Sequence, residues 1–452
     1  MQSKGLALKT KLGFGVTELG GNLFFTMMGF FLMPFLTDTA KLGAVLAGAA
    51  CWIGKICDAI TDPTVGYLSD RTRSKWGRRR PWMFFGAIFL FFTMILQFTN
   101  PNLQNNQIAL FIWVAVAFCL LTTAYTMVNI PYCALIPELT SDFHERTVLN
   151  AYRTIFSIIG TVLGSIGVIQ LRSLFTDANT GWTVTGTVMG AISMISALIT
   201  VIVIREPRGA STLAMPKSGV FKEYWSAFTQ KPVRYALFPW MLNITGVAVI
   251  QGALIYYFKY IYNDEGGVML ALAFMLGSTF LFVPVCTVVS KKIGKKLTYI
   301  LGIAIFAAAV LVFFFVGDGR GVEVMYATLA VAGIGLSTQY ILPYAIVPDI
   351  VDYDFAETGE KREGIYFSMW TFVSKVGQAF SLLLCGVMLA IFGYIPEVAQ
   401  TDLSKLGIRL LVGPVPVLMF VAGIIILSFY PITRKYYDTV IKPRVAARES
   451  KV

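Results

Sequence analysis

The sequence predicts an all-α membrane protein with twelve transmembrane helices arranged as two six-helix bundles. Three observations predict it. The 452 residues are 56% hydrophobic with a mean hydropathy of +0.69, and only 14% are charged, where a soluble chain carries about a quarter. Apolar runs of the ~20 residues needed to cross hydrocarbon recur from end to end. Basic residues collect in alternate loops. A lone span in lipid satisfies its backbone hydrogen bonds only within itself, so each run is expected to be a helix.

The first run, 12–37, follows a short basic tail and is too long for a cleavable signal, so it is expected to stay in place. Span two, 42–69, contains GKICDAITDP (54–63), with three charged side chains in an apolar stretch. Span three is 82–99. Span four, 107–136, runs into NIPYCALIPEL (129–139), where Pro131 loosens the helix so that polar groups can face a cavity. Span five, 148–171, carries Arg153 and the small residues Gly160, Gly164 and Gly167, which let helices approach closely. Span six, 182–204, closes an amino-terminal bundle of 1–204.

The middle loop, 205–232, contains Pro207, Pro216 and Pro232, and its piece VFKEYWSAF (220–228) is expected as an interfacial helix. Spans seven to nine are 233–261, 268–290 and 297–316. Span ten, 323–347, leads into ILPYAIVPDIV (341–351), and spans eleven and twelve are 364–392 and 407–430. These complete a second bundle, 233–430, before a tail at 431–452. The halves echo each other. GYLSDRTRSKWGRRR (66–80) follows span two and SKKIGKK (290–296) follows span eight, while spans four and ten end in related Pro-containing motifs. Such a parallel repeat is the architecture that secondary transporters use for alternating access.

On the side of the termini the loops hold 28 Lys and Arg, against five on the other side: Lys41, Arg172, Arg320, Lys405 and Arg409. The positive-inside rule places both termini in the cytoplasm, as in a multi-pass protein of the inner membrane. An anionic leaflet accounts for the net charge of +12, so no nucleic-acid partner is expected. All six cysteines fall within predicted spans, without disulfide or metal-ligand spacing. No phosphate-cradling glycine loop, nucleophile–base pair or metal constellation is present, so neither an enzyme nor a cofactor is expected, and transport energy would come from a gradient.

Asp58 and Asp62 are one helical turn apart, and Lys55 lies one turn before Asp58. Three unpaired charges in a span would cost roughly 8–10 kcal/mol. One lysine neutralises one aspartate and leaves the second. A hard monovalent cation held by carboxylate and hydroxyl oxygens would resolve the imbalance; a purely structural salt bridge is the bland alternative. Glu18 and Asn22 repeat the one-turn spacing in span one, and span four offers Tyr125, Thr126, Asn129 and Tyr132. Arg153 and Lys375 are cations within spans, suited to a substrate anion unless each pairs with Glu18 or another acid. Tyr340, Trp370, Thr371 and Gln378 supply rings and hydrogen bonds from the second half, with ordinary helix packing as the alternative for the rings. Asp70, Arg71, Gly77 and Arg78–Arg80, with a solvated basic loop as the alternative, then Glu138, Asp142 and Arg146, then Asp349, Asp352 and Arg362, are expected to latch the cytoplasmic gate.

DAITDPTVGYLSDRTRSKWGRRRPW (58–82) resembles the signature of the glycoside–pentoside–hexuronide:cation symporters, the melibiose-permease-like branch of the major facilitator superfamily. KLGFG near the start, NIPY in span four, PDIVDYD (348–354) and Lys375 extend the resemblance over nearly the whole chain in order. The resemblance implies the major facilitator fold and symport of a glycoside, pentoside or sugar acid with Na⁺, or with H⁺ or Li⁺, by a monomer. It also implies that Asp58 and Asp62 bind the coupling cation with help from Thr126, and that Thr61 is a weaker candidate. Asn22 and Asn129 fall where the family places sugar-binding aspartates, and Cys133 replaces a stacking tryptophan, which argues against a simple galactoside. Arg153 and Lys375 match basic residues of the family and would suit a carboxylate, sulfonate or phosphate. Eukaryotic lysolipid carriers resemble the same family, so a lysophospholipid-like anionic amphiphile is the alternative solute.

Overall fold

The computed structural model describes residues 6–135, 139, 143–205, 220–264, 267–316, 322–359 and 362–449. Among them eleven helices are long and apolar enough to cross a membrane, and a bent pair, Leu8–Phe30 with Leu32–Thr39, supplies the twelfth. The sequence predicts span one as one continuous run; the structure bends it by 52°. Pro34 explains the place. It has no N–H to give the carbonyl of Phe30, so the ladder breaks where the first piece ends.

Span two is Ala44–Arg71, span three Arg80–Gln97, span four Gln107–Ala134 and span six Ala178–Val203. Span five runs to Ser173 through a π-helical turn at Leu163–Gly167. Spans seven to nine are Lys231–Tyr262, Gly267–Ile293 and Lys295–Val316. Span eleven is Glu363–Ile391, and span twelve breaks at Gly413 between Asp402–Val412 and Pro414–Ser428. Large apolar side chains such as Phe92, Leu281, Phe315 and Leu418 are exposed, as suits helices whose outer solvent is lipid.

Span ten departs from the expectation. The apolar run is expected to stop at 347, but the helix Val322–Thr358 has 37 residues. At 1.5 Å per residue it is about 55 Å long, well beyond a ~30 Å hydrocarbon core. Hydropathy reports where lipid ends, not where the backbone ladder ends. Asp349, Asp352 and Asp354 therefore stand on helical turns rather than in a loop.

The chain divides into two compact units, Met1–Leu213 with Leu382–Ala399, and Ala214–Ser381 with Gln400–Val452. In the first, span two packs on span four, span three on spans four and six, and span one on spans five and six. A buried cluster of Phe14, Met83, Tyr132, Leu135, Leu149, Val201 and Ile204 ties spans one and three to six together. In the second, spans eight and nine pack on span ten, and spans seven and nine on span twelve. The helix Val220–Thr229 leads into span seven, and Arg434–Glu449 is helical in three consecutive segments.

Spans one and five approach closely at two glycines. A Cβ on Gly160 would stand 2.1 Å from the carbonyl oxygen of Leu19, and one on Gly164 would stand 2.8 Å from that of Leu23. Backbone cannot yield as a side chain can. Gly160→Leu is expected to destabilise the protein by about 1–3 kcal/mol or more, read as a lower Tm of the purified protein. Gly167→Ala, whose Cβ would come no nearer than 3.4 Å to any neighbour, the Met189 methyl, is expected to change little.

Candidate functional site

Span two stays helical through Pro63, so Asp58 and Asp62 share one face. Proline has no N–H for the carbonyl of Ala59, which loosens the ladder between the two acids. Gly54, one turn earlier, sets the distance to span four: a Cβ there would lie 2.1 Å from the Phe118 ring, and the Thr122 hydroxyl donates to the Gly54 carbonyl at 3.3 Å. This contact brings Thr126 to the acids. Its Oγ1 lies 3.0 Å from Asp58 Oδ1 and 2.9 Å from Asp62 Oδ1.

Thr126, Asp58 and Lys55 are buried, at 1%, 4% and 6% exposure. The Lys55 ammonium stands 5.7 Å from the centre of the Phe25 ring, within cation–π reach. A hydroxyl has one proton and cannot donate to both carboxylates at once. Two carboxylates converging on one hydroxyl oxygen form a hard, all-oxygen donor set, which fits a small monovalent cation. The Thr61 hydroxyl donates to the Asp58 carbonyl of its own helix at 3.2 Å.

A second cluster lies between spans one, four and five. Arg153 donates through Nε and an η nitrogen to Glu18 Oε2, at 3.1 and 2.9 Å. Each side chain is 22% exposed. Asn22 donates to the carboxylate and the carbonyl of Glu18, at 3.3 and 3.2 Å. The guanidinium also lies 5.1 Å from the Tyr132 ring centre, and that ring stacks on Phe14. Tyr125 stacks on Phe24 with centroids 4.4 Å apart. Glu18, Tyr125, Asn129 and Tyr132 line one small cleft with Ser193. The structure thus joins Glu18, Asn22, Tyr125, Asn129 and Arg153, with Arg153 facing the acid of its own unit.

In the second unit Trp370 is 3% exposed and stacks on Trp240, centroids 5.9 Å apart. That contact joins spans seven and eleven. Tyr340 is exposed, and Lys375 is partly buried one turn beyond Thr371, whose hydroxyl donates to the Phe367 carbonyl of its own helix at 3.0 Å.

The expected gate residues take separate partners. Asp349 receives the Lys295 ammonium at 2.7 and 2.8 Å, and Asp352 accepts from the Tyr437 hydroxyl. Arg362 grips Asp354, at 2.9 Å through Nε and 2.5 Å through an η nitrogen. Gln230 donates to the same carboxylate, and Arg362 reaches Ser226 of the helix Val220–Thr229 at 2.9 Å. Arg71 lies over the Tyr67 ring, and Arg78 is partly buried. Glu138 and Asp142 lie outside the described residues, as do the side chains of Asp70 and Arg146.

Two of these acids carry no signal in the sequence as a site. Asp354 lay in the quoted motif but in an expected loop. Asp38, which accepts from the Tyr394 hydroxyl at 2.5 Å and from Thr37 at 2.8 Å, gave no local signal.

Comparison with known proteins decides the family. The family described as MFS/sugar transport protein matches residues 13–434. The chain belongs to this family. It is a glycoside–pentoside–hexuronide:cation symporter-type member of the major facilitator superfamily, a transporter and not an enzyme.

An uncharacterized symporter of Synechocystis is 30% identical to it, over 99% of this chain and 98% of that protein. A provisionally named sulfoquinovose importer of Escherichia coli K12 is 26% identical over 97% of this chain and 93% of its own length. An isoprimeverose transporter of Lactiplantibacillus pentosus is also 26% identical, over 97% of this chain and 90% of its own. The crystal structure of the nucleoside transporter NupG superposes with a TM-score of 0.66 at 14% identity, covering 94% of this symporter and 100% of that chain. At that identity the likeness bears on fold alone. The chain's multi-pass, almost entirely helical architecture agrees with that structural likeness.

Proposed function

We propose that the protein is a monomeric inner-membrane symporter, with cytoplasmic termini, that couples uptake of a sugar or sugar acid to Na⁺, or alternatively H⁺ or Li⁺, by alternating access. One observation carries the coupling: two acids on span two converge on a single hydroxyl of span four, in a buried setting beside Lys55. A cation entering between the acids neutralises their repulsion and draws spans two and four together. Span four also carries Tyr125 and Asn129, so closing the cation site orders the cleft beside it. Each ligand then tightens the other by the same factor. One charge moving down 100 mV supplies about 2.3 kcal/mol, and a tenfold cation gradient adds about 1.4. Together these drive roughly 500-fold accumulation of a neutral solute.

The solute class rests on Asn22, Asn129 and Arg153. Amides in place of acids suit sugar hydroxyls as both donors and acceptors. Arg153 is able to exchange Glu18 for the anionic group of a sugar acid. The names of two relatives, one for sulfoquinovose and one for isoprimeverose, support a sugar or sulfonated-sugar substrate. Proteoliposome uptake across a panel of glycosides, pentosides, uronates and sulfonated sugars, under separately imposed Na⁺ and H⁺ gradients, tests the proposal. Accumulation of one sugar class driven by one cation is expected. A lysophospholipid added to the panel is expected to remain untransported, and its uptake would overturn the sugar assignment.

Arg153→Met removes the partner of a mostly buried acid and is expected to lower stability by about 1–3 kcal/mol. Glu18→Gln combined with Arg153→Met should restore most of the Tm. Uptake should stay at least about tenfold below wild type. Full recovery of uptake in the double variant would mean that the pair only holds helices together.

A further inference from the structure

We propose that a cavity in the second unit, where spans eight, nine and ten meet the segment after span twelve, binds the phosphate headgroup of an anionic phospholipid. The cavity measures about 510 Å³ and is lined by Lys291, Lys295, Lys296 and Arg434, with Asp349 as the acid among its lining residues. Lys295 is neutralised by that acid at 2.7 Å. Lys296 is not, because its ammonium donates to uncharged carbonyls, those of Ser428 at 2.6 Å and Tyr430 at 2.9 Å. Arg434 donates to the uncharged carbonyls of Lys291 and Lys292 and reaches Asp438 only at 3.8 Å, with both side chains more than half exposed. Lys291 is exposed. The cavity therefore keeps an excess of positive charge.

The remainder of its wall is apolar. Ile293, Leu297, Ile346 and Ile432 line it. Leu297, Leu301 and Ile305, at one-turn spacing on span nine, continue outward as a stripe exposed at 48%, 46% and 40%. A basic mouth that opens onto an exposed apolar stripe matches an amphiphile with an anionic head and acyl chains. Free phosphate would fill the mouth alone, whereas a phospholipid would also lay its acyl chains along the stripe. Basic pockets between spans attract anionic headgroups by general electrostatics. The site shares no residue with the Asp58–Asp62 cluster, so it is distinct from the cation and sugar sites.

Native mass spectrometry of the full chain in detergent, titrated with phosphatidylglycerol and in parallel with phosphatidylcholine, tests the proposal. One phosphatidylglycerol per chain is expected above the phosphatidylcholine background. Lys291→Gln with Arg434→Gln should weaken that binding about tenfold or more. The exposed single variant Lys291→Gln should weaken it in the same direction with Tm unchanged, so a folding defect in the double variant does not decide the outcome. Lys41→Gln, outside this cavity, should bind as wild type. Equal occupancy by the two lipids, or undiminished phosphatidylglycerol binding in Lys291→Gln and in the double variant, would overturn the assignment. Displacement of the bound lipid by millimolar inorganic phosphate would reassign the site to free phosphate.

Discussion

Asp58→Asn and Asp62→Asn are each expected to lower cation-driven accumulation of the solute by about 100-fold. The amide keeps the shape of the side chain and removes its charge. In a site where two carboxylates share the Thr126 hydroxyl, loss of either acid leaves too little negative charge to strip water from a monovalent cation. About 3 kcal/mol of lost ion stabilisation corresponds to that factor. Solute counterflow without a gradient separates coupling from folding. It should persist at a reduced rate in both variants while dependence on the cation disappears. Thr126→Ala keeps both charges and should weaken apparent cation affinity only about tenfold, the scale of one charge-assisted hydrogen-bonding group. If all three variants accumulated solute with unchanged cation dependence, the cluster would be a structural salt link and nothing more.

Asp354→Ala is expected to have the largest effect on stability. The Asp354 side chain is 1% exposed and its Arg362 partner 10%. The carboxylate accepts two bonds from the guanidinium and one from Gln230. Removing it strands a buried cation, at a cost of about 3–5 kcal/mol, which is roughly a 10 °C fall in Tm for a unit of this size. Asp354→Leu with Arg362→Met removes both charges and should recover most of the loss, because an apolar pair of similar volume often replaces a buried ion pair at little cost. The knot also ties the helix Val220–Thr229, through Ser226, to the ends of spans ten and eleven. Proteolysis of the middle segment should therefore accelerate in Asp354→Ala and return toward wild type in the double variant.

The cation cluster was legible because helical spacing alone puts Asp58, Asp62 and Lys55 on one face, and family resemblance then singled out Thr126. Charge in an apolar run is a signal that needs no partner to be seen. The Glu18–Arg153 pair was visible as an alternative for the same reason. Asp354 was hidden because hydropathy ends span ten near Val347, while the backbone ladder runs on to Thr358. Asp38 was hidden because Tyr394 is 356 residues away, a pairing no local pattern encodes. The bend after Phe30 had a local cause in Pro34, but a proline in an apolar run does not say whether the span kinks or ends. The close approach at Gly54 was equally silent: glycine marks room for a neighbour without naming Phe118.

Coupled transport depends on the acids of span two holding an ion that can leave. Equilibrium cation binding to the purified protein measures this directly, by titration with Na⁺ and Li⁺ and by proton uptake across the acid range, for wild type and for the Asp58→Asn, Asp62→Asn double variant. Wild type is expected to bind one more monovalent cation per chain, as Na⁺, Li⁺ or H⁺, than the double variant. Identical binding by the two proteins would contradict it.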